Sequence, residues 1–349
     1  MAIQVSDLID DVLVEIKDLR LNFTTYDGVS KVLAGVNLDI RRGDVLGLVG
    51  ETGCGKTMTA LSIPRLVPCP PGEIVGGQVL FKGQDVFQMT EDEVRELRAR
   101  EIAMVFQDPT TNLNPVFTIG DQMVDAVLCQ QGWSSALTLN PLAGLGASVR
   151  NLQHKAKDLA MRMLSRVGIP DSADRIDNYP HEFSGGMRQR VLIAMALAGN
   201  PSLLIADEPT TALDVSIQAQ ILRLIKDLVR ERDLSVLLIT HNLGVVAKIC
   251  TRVAVMYAGA VAEYGDVISI FKNPQHPYTV GLLQAIPTRE TKRGEIKEIP
   301  GSIPNFIDPP PGCRFHPRCP HAMPQCSQEI PQPVPVGPGH EVTCFLYSP

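Results

Sequence analysis

Apolar residues in the first part of the chain come in short runs broken by turn residues. Leu13–Ile16, Val32–Ile40 and Val45–Val49 read as strands, separated by Asp27-Gly28 and Arg42-Gly43-Asp44. The last run is apolar at every position but its glycine, the pattern of a strand buried on both faces. From Lys56 to about Ile63 the pattern becomes helical and stops near Pro64. Strand-like segments return over residues 79–106 around a charged helix, Glu91–Arg100. Residues 112–182 read as mostly helical, with a Gly/Ala/Leu-rich interruption from Gly132 to Gly146 whose role stays open. Within this stretch Leu152–Val167 carries Leu159, Met163 and Val167 four residues apart, the apolar stripe of an amphipathic helix. Met187–Ala198 is apolar on most faces and reads as a buried helix.

Leu203–Ala206 and Val236–Ile239 are continuous apolar runs on either side of a helical segment, Ile217–Arg230. This β-α-β rhythm predicts an α/β fold with a parallel sheet. Beyond Asp266 proline becomes frequent, and Pro309-Pro310-Pro311-Gly312 reads as an extended linker before a cysteine cluster. The expected organisation is a domain over residues 13–265, with a helical subdomain at about 112–182, and an extension over 266–349.

Composition narrows the function classes. The 349 residues are 44% apolar and 20% charged, as in a soluble globular protein. The net charge of −6, with no block of Lys or Arg, argues against nucleic acid as a partner. No run approaches the roughly 20 apolar residues that cross a bilayer. The start, Met1-Ala2-Ile3-Gln4-Val5-Ser6-Asp7, lacks the basic and apolar segments of a secretory signal. Four of the eight cysteines, Cys54, Cys69, Cys129 and Cys250, are isolated and read as small buried hydrophobes.

Gly50-Glu51-Thr52-Gly53-Cys54-Gly55-Lys56-Thr57, followed by Met58, satisfies the phosphate-binding pattern G-x-x-x-x-G-K-[ST] between a strand and a helix. Its glycines let successive N–H groups curl around a phosphate, and the following helix points its positive end there. Lys56 is expected on the β- and γ-phosphates and the Thr57 hydroxyl on Mg2+. The run Ser202–Ala206 ends in Asp207 and Glu208. The first acid at such a strand end holds magnesium, and the second is placed to take a proton from the attacking water.

Phe183-Ser184-Gly185-Gly186-Met187-Arg188-Gln189 resembles the signature motif of ABC ATPases, which identifies the chain as similar to that family. Phe183 and Met187 stand where the family most often has Leu and Gln; neither change removes an N–H or the hydroxyl. The resemblance spans about residues 13–265. It implies a P-loop NTPase core with a parallel sheet, an antiparallel β subdomain and a helical subdomain. It also implies that Ser184, Gly185, Gly186 and Gln189 face a nucleotide bound to a second subunit. Gln107 matches the glutamine that contacts magnesium and water. Thr211-Ala212-Leu213-Asp214 matches the D-loop. His241 matches the switch histidine on the γ-phosphate. Tyr26, with Phe23 as a rival, occupies the place of the aromatic that stacks on adenine.

Asn273-Pro274-Gln275-His276-Pro277-Tyr278-Thr279 resembles the C-terminal extension of oligopeptide/dipeptide importers, with His276 and Tyr278 read as structural. Cys313, Cys319, Cys326 and Cys344 are spaced x5, x6 and x17. Four thiols suit zinc or a [4Fe–4S] cluster, but the spacing lacks paired C-x2-C knuckles; a reducing compartment disfavours disulfides. His316 and His321 are further candidate zinc ligands. Resemblance to peptide-importer ATPases implies the [4Fe–4S] cluster, with Zn2+ as the alternative, in a small C-terminal metal-cluster extension. The family further implies ATP and Mg2+ as ligands. The implied partners are a second, non-identical ATPase subunit, two integral membrane permease subunits and an extracytoplasmic peptide-binding protein. Such a subunit sits peripherally on the cytoplasmic face of the membrane. Nickel chelates or glutathione are alternative cargoes, and a soluble non-transport ABC ATPase is the alternative outside transport.

Overall fold

The computed structural model describes residues 11–107, 109–132, 147–210, 214–286 and 298–348. The chain divides into two compact units: residues up to Met89 together with those from Leu237 onward, and Thr90–Val236.

The first unit opens with two long strands, β1 (Val12–Thr25) and β2 (Gly28–Arg41), joined through Tyr26-Asp27. With β4 (Gly72–Phe81) and β5 (Gln84–Asp85) they form an antiparallel sheet in the order β2-β1-β4-β5. The unit's second sheet is built on β3 (Val45–Val49), buried at every position, which pairs in parallel with β9 (Arg252–Tyr257). Beside β3 runs β8 (Ser235–Ile239), from which Leu237–Ile239 belong to this unit.

The expected parallel sheet is present in the β3–β9 pairing, and beyond β9 it continues as antiparallel strands, so the sheet is mixed. β9 is followed after only Ala258-Gly259 by β10 (Ala260–Asp266), with φ of 43° and 83° at the two linking residues. Two residues at positive φ make a tight hairpin, and so short a link leaves only the antiparallel pairing. The tail then returns, and β11 (Val334–Gly337) and β12 (His340–Val342) add to β10, with Glu263 opposite Val342. The segment after Asp266 is thus joined to the strands before it by main-chain pairing.

A charged network ties the two sheets together. Arg252 on β9 bonds Asp39 on β2 (2.8 Å) and Asp44 (2.7 Å), while the Tyr264 hydroxyl donates to Asp39 (2.8 Å). Burial raises the Asp39 pKa, but Arg252 and the Tyr264 bond outweigh it and hold the carboxyl below its usual range.

Helices α1 (Lys56–Ser62), α7 (Leu243–Ile249), α8 (Val267–Lys272) and α9 (Pro277–Gln284) complete this unit. The second unit begins at Thr90. There, α2 (Glu91–Arg100) starts on a capping box in which Thr90 and Glu93 satisfy each other's backbone N–H groups (3.4 and 2.7 Å). Three acids in its first turn and Arg98 and Arg100 in its last oppose the helix dipole. β6 (Ile102–Val105) and β7 (Leu203–Asp207) pair in parallel, and β7 continues onto the first residues of β8. Helices α3 (Ile119–Gln130), α4 (Ala147–Arg166) and α5 (Gly185–Leu197) pack on one another. In and just beyond α4 the buried residues Ala156, Ala160, Met163, Leu164 and Val167 recur at helical spacing. Helix α6 spans Val215–Arg232.

Residues 133–146 of the Gly/Ala/Leu-rich interruption lie outside the described residues, as do Thr211, Ala212 and Leu213 of the D-loop. Two cysteines depart from expectation: Cys69, in the proline-rich turn before β4, and Cys129, in the last turn of α3, are exposed. Among the described residues, no helix is long and apolar enough to cross a membrane.

Candidate functional site

The loop from Gly50 to Gly55 links the C-terminal end of β3 to α1, and its shape requires glycine. Gly50 has φ 149°, and a Cβ there would stand 2.2 Å from the Met256 carbonyl oxygen. Gly55, the N-cap of α1, has φ 105°, and its Cβ would come 2.8 Å from Leu33. At Gly53 (φ 84°) an added Cβ meets nothing within 4 Å, so only the backbone conformation asks for glycine. The Lys56 side chain, 7% exposed, folds back and donates to the carbonyls of Gly50 and Glu51, both at 2.9 Å. Cys54 is buried beneath it, and its carbonyl takes the N–H of Gly259 from the β9–β10 hairpin (2.8 Å). Thr52 is exposed and Thr57 and Met58 are half-buried at the start of α1. These are the parts of an anion cradle: curled amides, a helix start and one buried cation.

The same unit carries His241, exposed directly after β8 and Thr240, at the strand's C-terminal end. Asn242 caps α7 by accepting from Gly244 and Val245 (3.0 and 3.3 Å), which fixes the chain on the far side of the histidine. Tyr26 sits fully exposed on the β1–β2 turn, whereas Phe23 lies within β1, opposite Gly72.

The second unit brings the paired acids and the glutamine to one sheet edge. β6 and β7 run parallel with Val105 opposite Ala206, so the chain leaves both strands at the same end. There Gln107 Nε2 donates to Glu208 Oε2 at 3.0 Å. Asp207 is buried as the last residue of β7. Glu208 has φ 47°, a left-handed conformation that costs a non-glycine residue about 1–3 kcal/mol. The C-terminal ends of such strands are where open α/β sheets bind ligands.

Ser184 caps α5, its hydroxyl oxygen accepting from Met187 N–H at 3.3 Å. The hydroxyl hydrogen stays available to donate. A Cβ on Gly185 would meet nothing within 4 Å, so this glycine presents its backbone to open space. Gly186 differs, since a Cβ there would stand 2.6 Å from Ile217 on α6. Gln189, expected on the phosphate-facing surface, is instead only 2% exposed within α5. Asp214 is exposed at the N-cap of α6.

The extension reaches into the cradle, which no motif in the chain announces. The hydroxyl of Tyr278 accepts from Glu51 N–H (2.9 Å), and Arg318 Nη1 bonds the Glu51 carboxylate (3.0 Å). These partners lie 227 and 267 positions away along the chain, too far for any spacing motif to pair them. His276 is structural as expected: its Nδ1 accepts from Tyr278 N–H (3.0 Å), and burial lowers its pKa to about 4, so it stays neutral.

Cys313, Cys319, Cys326 and Cys344 gather in one lobe, where Cys313 N–H donates to the Cys326 carbonyl (2.8 Å). Burial, and secondarily the other three cysteines, pushes the Cys313 thiol up to about 11. Among the described residues, however, no three His, Cys, Asp or Glu side chains form a group that holds a metal ion. The expected zinc or iron–sulfur centre is therefore not carried by the structure. Four thiols nonetheless make up the donor set of a four-thiolate centre.

Comparison with known proteins bears on both parts of the chain. A family profile described as "ABC transporter" matches residues 33–211, and one described as "Oligopeptide/dipeptide transporter, C-terminal region" matches residues 262–326. The dipeptide transport ATP-binding protein DppD of Bacillus subtilis is 45% identical over 334 residues, covering 96% of this chain and 94% of that protein. The oligopeptide transport ATP-binding protein OppD of Salmonella typhimurium is 44% identical over 335 residues, covering 96% and 94%. Among solved structures, a dimeric, post-hydrolysis state of the ATP-binding cassette MJ0796 bound to ADP and Pi aligns with a TM-score of 0.59. That match is 25% identical and covers 73% of this chain and 98% of the other.

Proposed function

The chain belongs to the ABC transporter family, in the branch that carries the oligopeptide/dipeptide C-terminal region, and on that premise we propose that it hydrolyses ATP to power uptake of di- and oligopeptides. The observation that carries the ATP reading is the cradle at Gly50–Thr57, with a buried Lys56 resting on carbonyls that it can exchange for phosphate oxygens.

In this reading the loop amides and Lys56 bind the β- and γ-phosphates, with Glu51, Thr52, Gly53 and Cys54 supplying backbone and Met58 following in α1. Mg2+ would take the Thr57 hydroxyl, and Asp207 and Gln107 are assigned to the ion by resemblance to the family. Glu208 accepts the proton of the attacking water, and His241 contacts the γ-phosphate. Tyr26 stacks on adenine; its full exposure leaves the ring face open for that. Ser184, Gly185 and Gly186 serve a nucleotide held by a second, non-identical ATPase subunit, with Asp214 at the same junction. The open space at Gly185 and the dimeric form of the MJ0796 cassette support this.

Two integral membrane permease subunits and an extracytoplasmic peptide-binding protein complete the importer, and this chain sits peripherally on the cytoplasmic face. The functional division is a cassette over 13–265 and an extension over 266–349. The test is ATP hydrolysis by the assembled complex in vesicles. Peptide-loaded binding protein is expected to raise the rate several-fold, and a rate indifferent to peptide would remove the importer reading.

For the tail, Cys313, Cys319, Cys326 and Cys344 are the residues that would hold a [4Fe–4S] cluster, which would tie a proline-rich segment into one fold. Four thiols match the four-thiolate donor set that such a cluster would take. Anaerobically purified protein is expected to be brown and to contain about four irons per chain. Stoichiometric zinc without iron would replace this reading by the Zn2+ alternative.

A further inference from the structure

Two side chains of the extension converge on one residue of the phosphate loop. Glu51 is held at its N–H by the Tyr278 hydroxyl and at its carboxylate by Arg318. Neither partner is free to wander. The Arg318 side chain is 7% exposed, its other N–H groups go to the carbonyls of Pro300 (2.9 Å) and Ile299 (3.1 Å), and its Nη1 also reaches the Tyr257 hydroxyl (3.3 Å). Its guanidinium lies 5.7 Å from the centre of the Tyr257 ring. Tyr278 is fully buried, with ring contacts to Tyr257 (4.6 Å) and Phe315 (5.4 Å). The carbonyl of the same Glu51 takes one of the two Lys56 bonds. Glu51 is therefore bracketed, by the cradle's own lysine on one side and by the extension on the other.

This arrangement has an energetic consequence for binding. A loop with glycines at φ 149°, 84° and 105° has many conformations open to it, and ordering it costs conformational entropy. When phosphate arrives, Lys56 has to release the Gly50 and Glu51 carbonyls, which removes the internal bonds that hold the loop's first residues. Contacts that persist through that exchange keep the cradle ordered before and after binding, which favours affinity. Tyr278 and Arg318 make such contacts, since both meet Glu51 at atoms other than the carbonyl that Lys56 holds.

We propose that Tyr278 and Arg318 are positioning residues of the nucleotide site, through which the cysteine-bearing extension preorganises the phosphate loop. The inference rests on the reading of Gly50–Thr57 as an ATP cradle. It assigns the extension a role in ATP affinity in addition to its packing role.

The experiment is a calorimetric titration of the full chain with Mg-ATP, with melting temperatures recorded alongside. Arg318→Ala is expected to weaken binding about tenfold, as befits a shielded charge-assisted pair. Tyr278→Phe, which keeps the ring and loses only the acceptor, is expected to weaken it about threefold. Arg318→Lys should not restore affinity, because an ammonium cannot reach Glu51, Tyr257, Ile299 and Pro300 together. Since Arg318 acts through Glu51, the double variant with Glu51→Gln should bind no more weakly than Arg318→Ala alone. Wild-type affinity in both Arg318→Ala and Tyr278→Phe, even with lowered melting temperatures, would leave the contacts merely structural and overturn the proposal. Additive losses in the double variant would overturn it as well. Lys56→Ala separates the two levels. If it loses ATP binding while the Arg318 and Tyr278 variants keep theirs, only this inference fails; if it retains binding, the cradle reading fails too.

Discussion

Glu208→Gln is expected to bind Mg-ATP about as well as the unmodified protein and to hydrolyse it at least ~100-fold more slowly. The amide is nearly isosteric with the carboxylate and its oxygen still accepts from Gln107 Nε2, so the sheet edge keeps its shape. What it cannot do is take a proton from water. The left-handed backbone at Glu208 sets the direction of this side chain, and that conformation is unchanged by the substitution. Phosphate release by the assembled transporter, beside nucleotide binding by the isolated chain, reads out the two halves of the expectation. Turnover at the unmodified rate would take the proton-accepting role away from Glu208. Loss of binding together with turnover would instead make it a ligand of the ground state.

The largest effect on stability is expected at Glu263, a residue of no evident importance along the chain. Its carboxylate is 1% exposed and accepts three hydrogen bonds: from Gln275 N–H (2.7 Å), His276 N–H (2.9 Å) and His340 Nε2 (2.7 Å). One buried acid on β10 thus fastens both the start of α9 and the returning strand β12. Glu263→Ala leaves three donors without their acceptor, two of them buried, at a cost of about 3–5 kcal/mol. The variant should melt at a lower temperature and be cleaved faster by protease beyond Asp266. Tyr278, two residues past His276, should lose its hold on Glu51 in the same variant, so weaker Mg-ATP binding is expected with the unfastened tail. An unchanged melting curve together with unchanged proteolysis would show that the three bonds contribute little.

Much of the architecture was legible in the pattern of residues, for local reasons. The apolar runs at Val45–Val49, Leu203–Ala206 and Val236–Ile239 all became buried strands, because a continuous apolar segment has no exposed face to offer. The helix expected over Glu91–Arg100 has those bounds, since its capping box and its charge gradient are written in neighbouring residues. Glycine spacing located the phosphate cradle, as the backbone conformations it needs are ones that other residues resist.

Other features depend on partners far apart in the chain. The parallel pairing was legible, whereas the antiparallel strands beyond β9 were not: β10 follows through a two-residue hairpin, and the tail's proline-rich composition reads as linker and hides β11 and β12. Gln189 lies in a surface motif by sequence yet inside α5 by packing, since helix rotation, set by neighbouring helices, decides which face is covered. Sequence by itself determined the phosphate loop, the paired acids, the signature segment and the alternation of strands and helices, because each rests on the chemistry of adjacent residues. Only the tertiary structure decided that Glu263 anchors the extension and that Tyr278 and Arg318 reach Glu51. Those bonds join residues 12 to 267 positions apart that carry no shared periodicity, and their strength comes from charge and shielding that only the folded chain supplies.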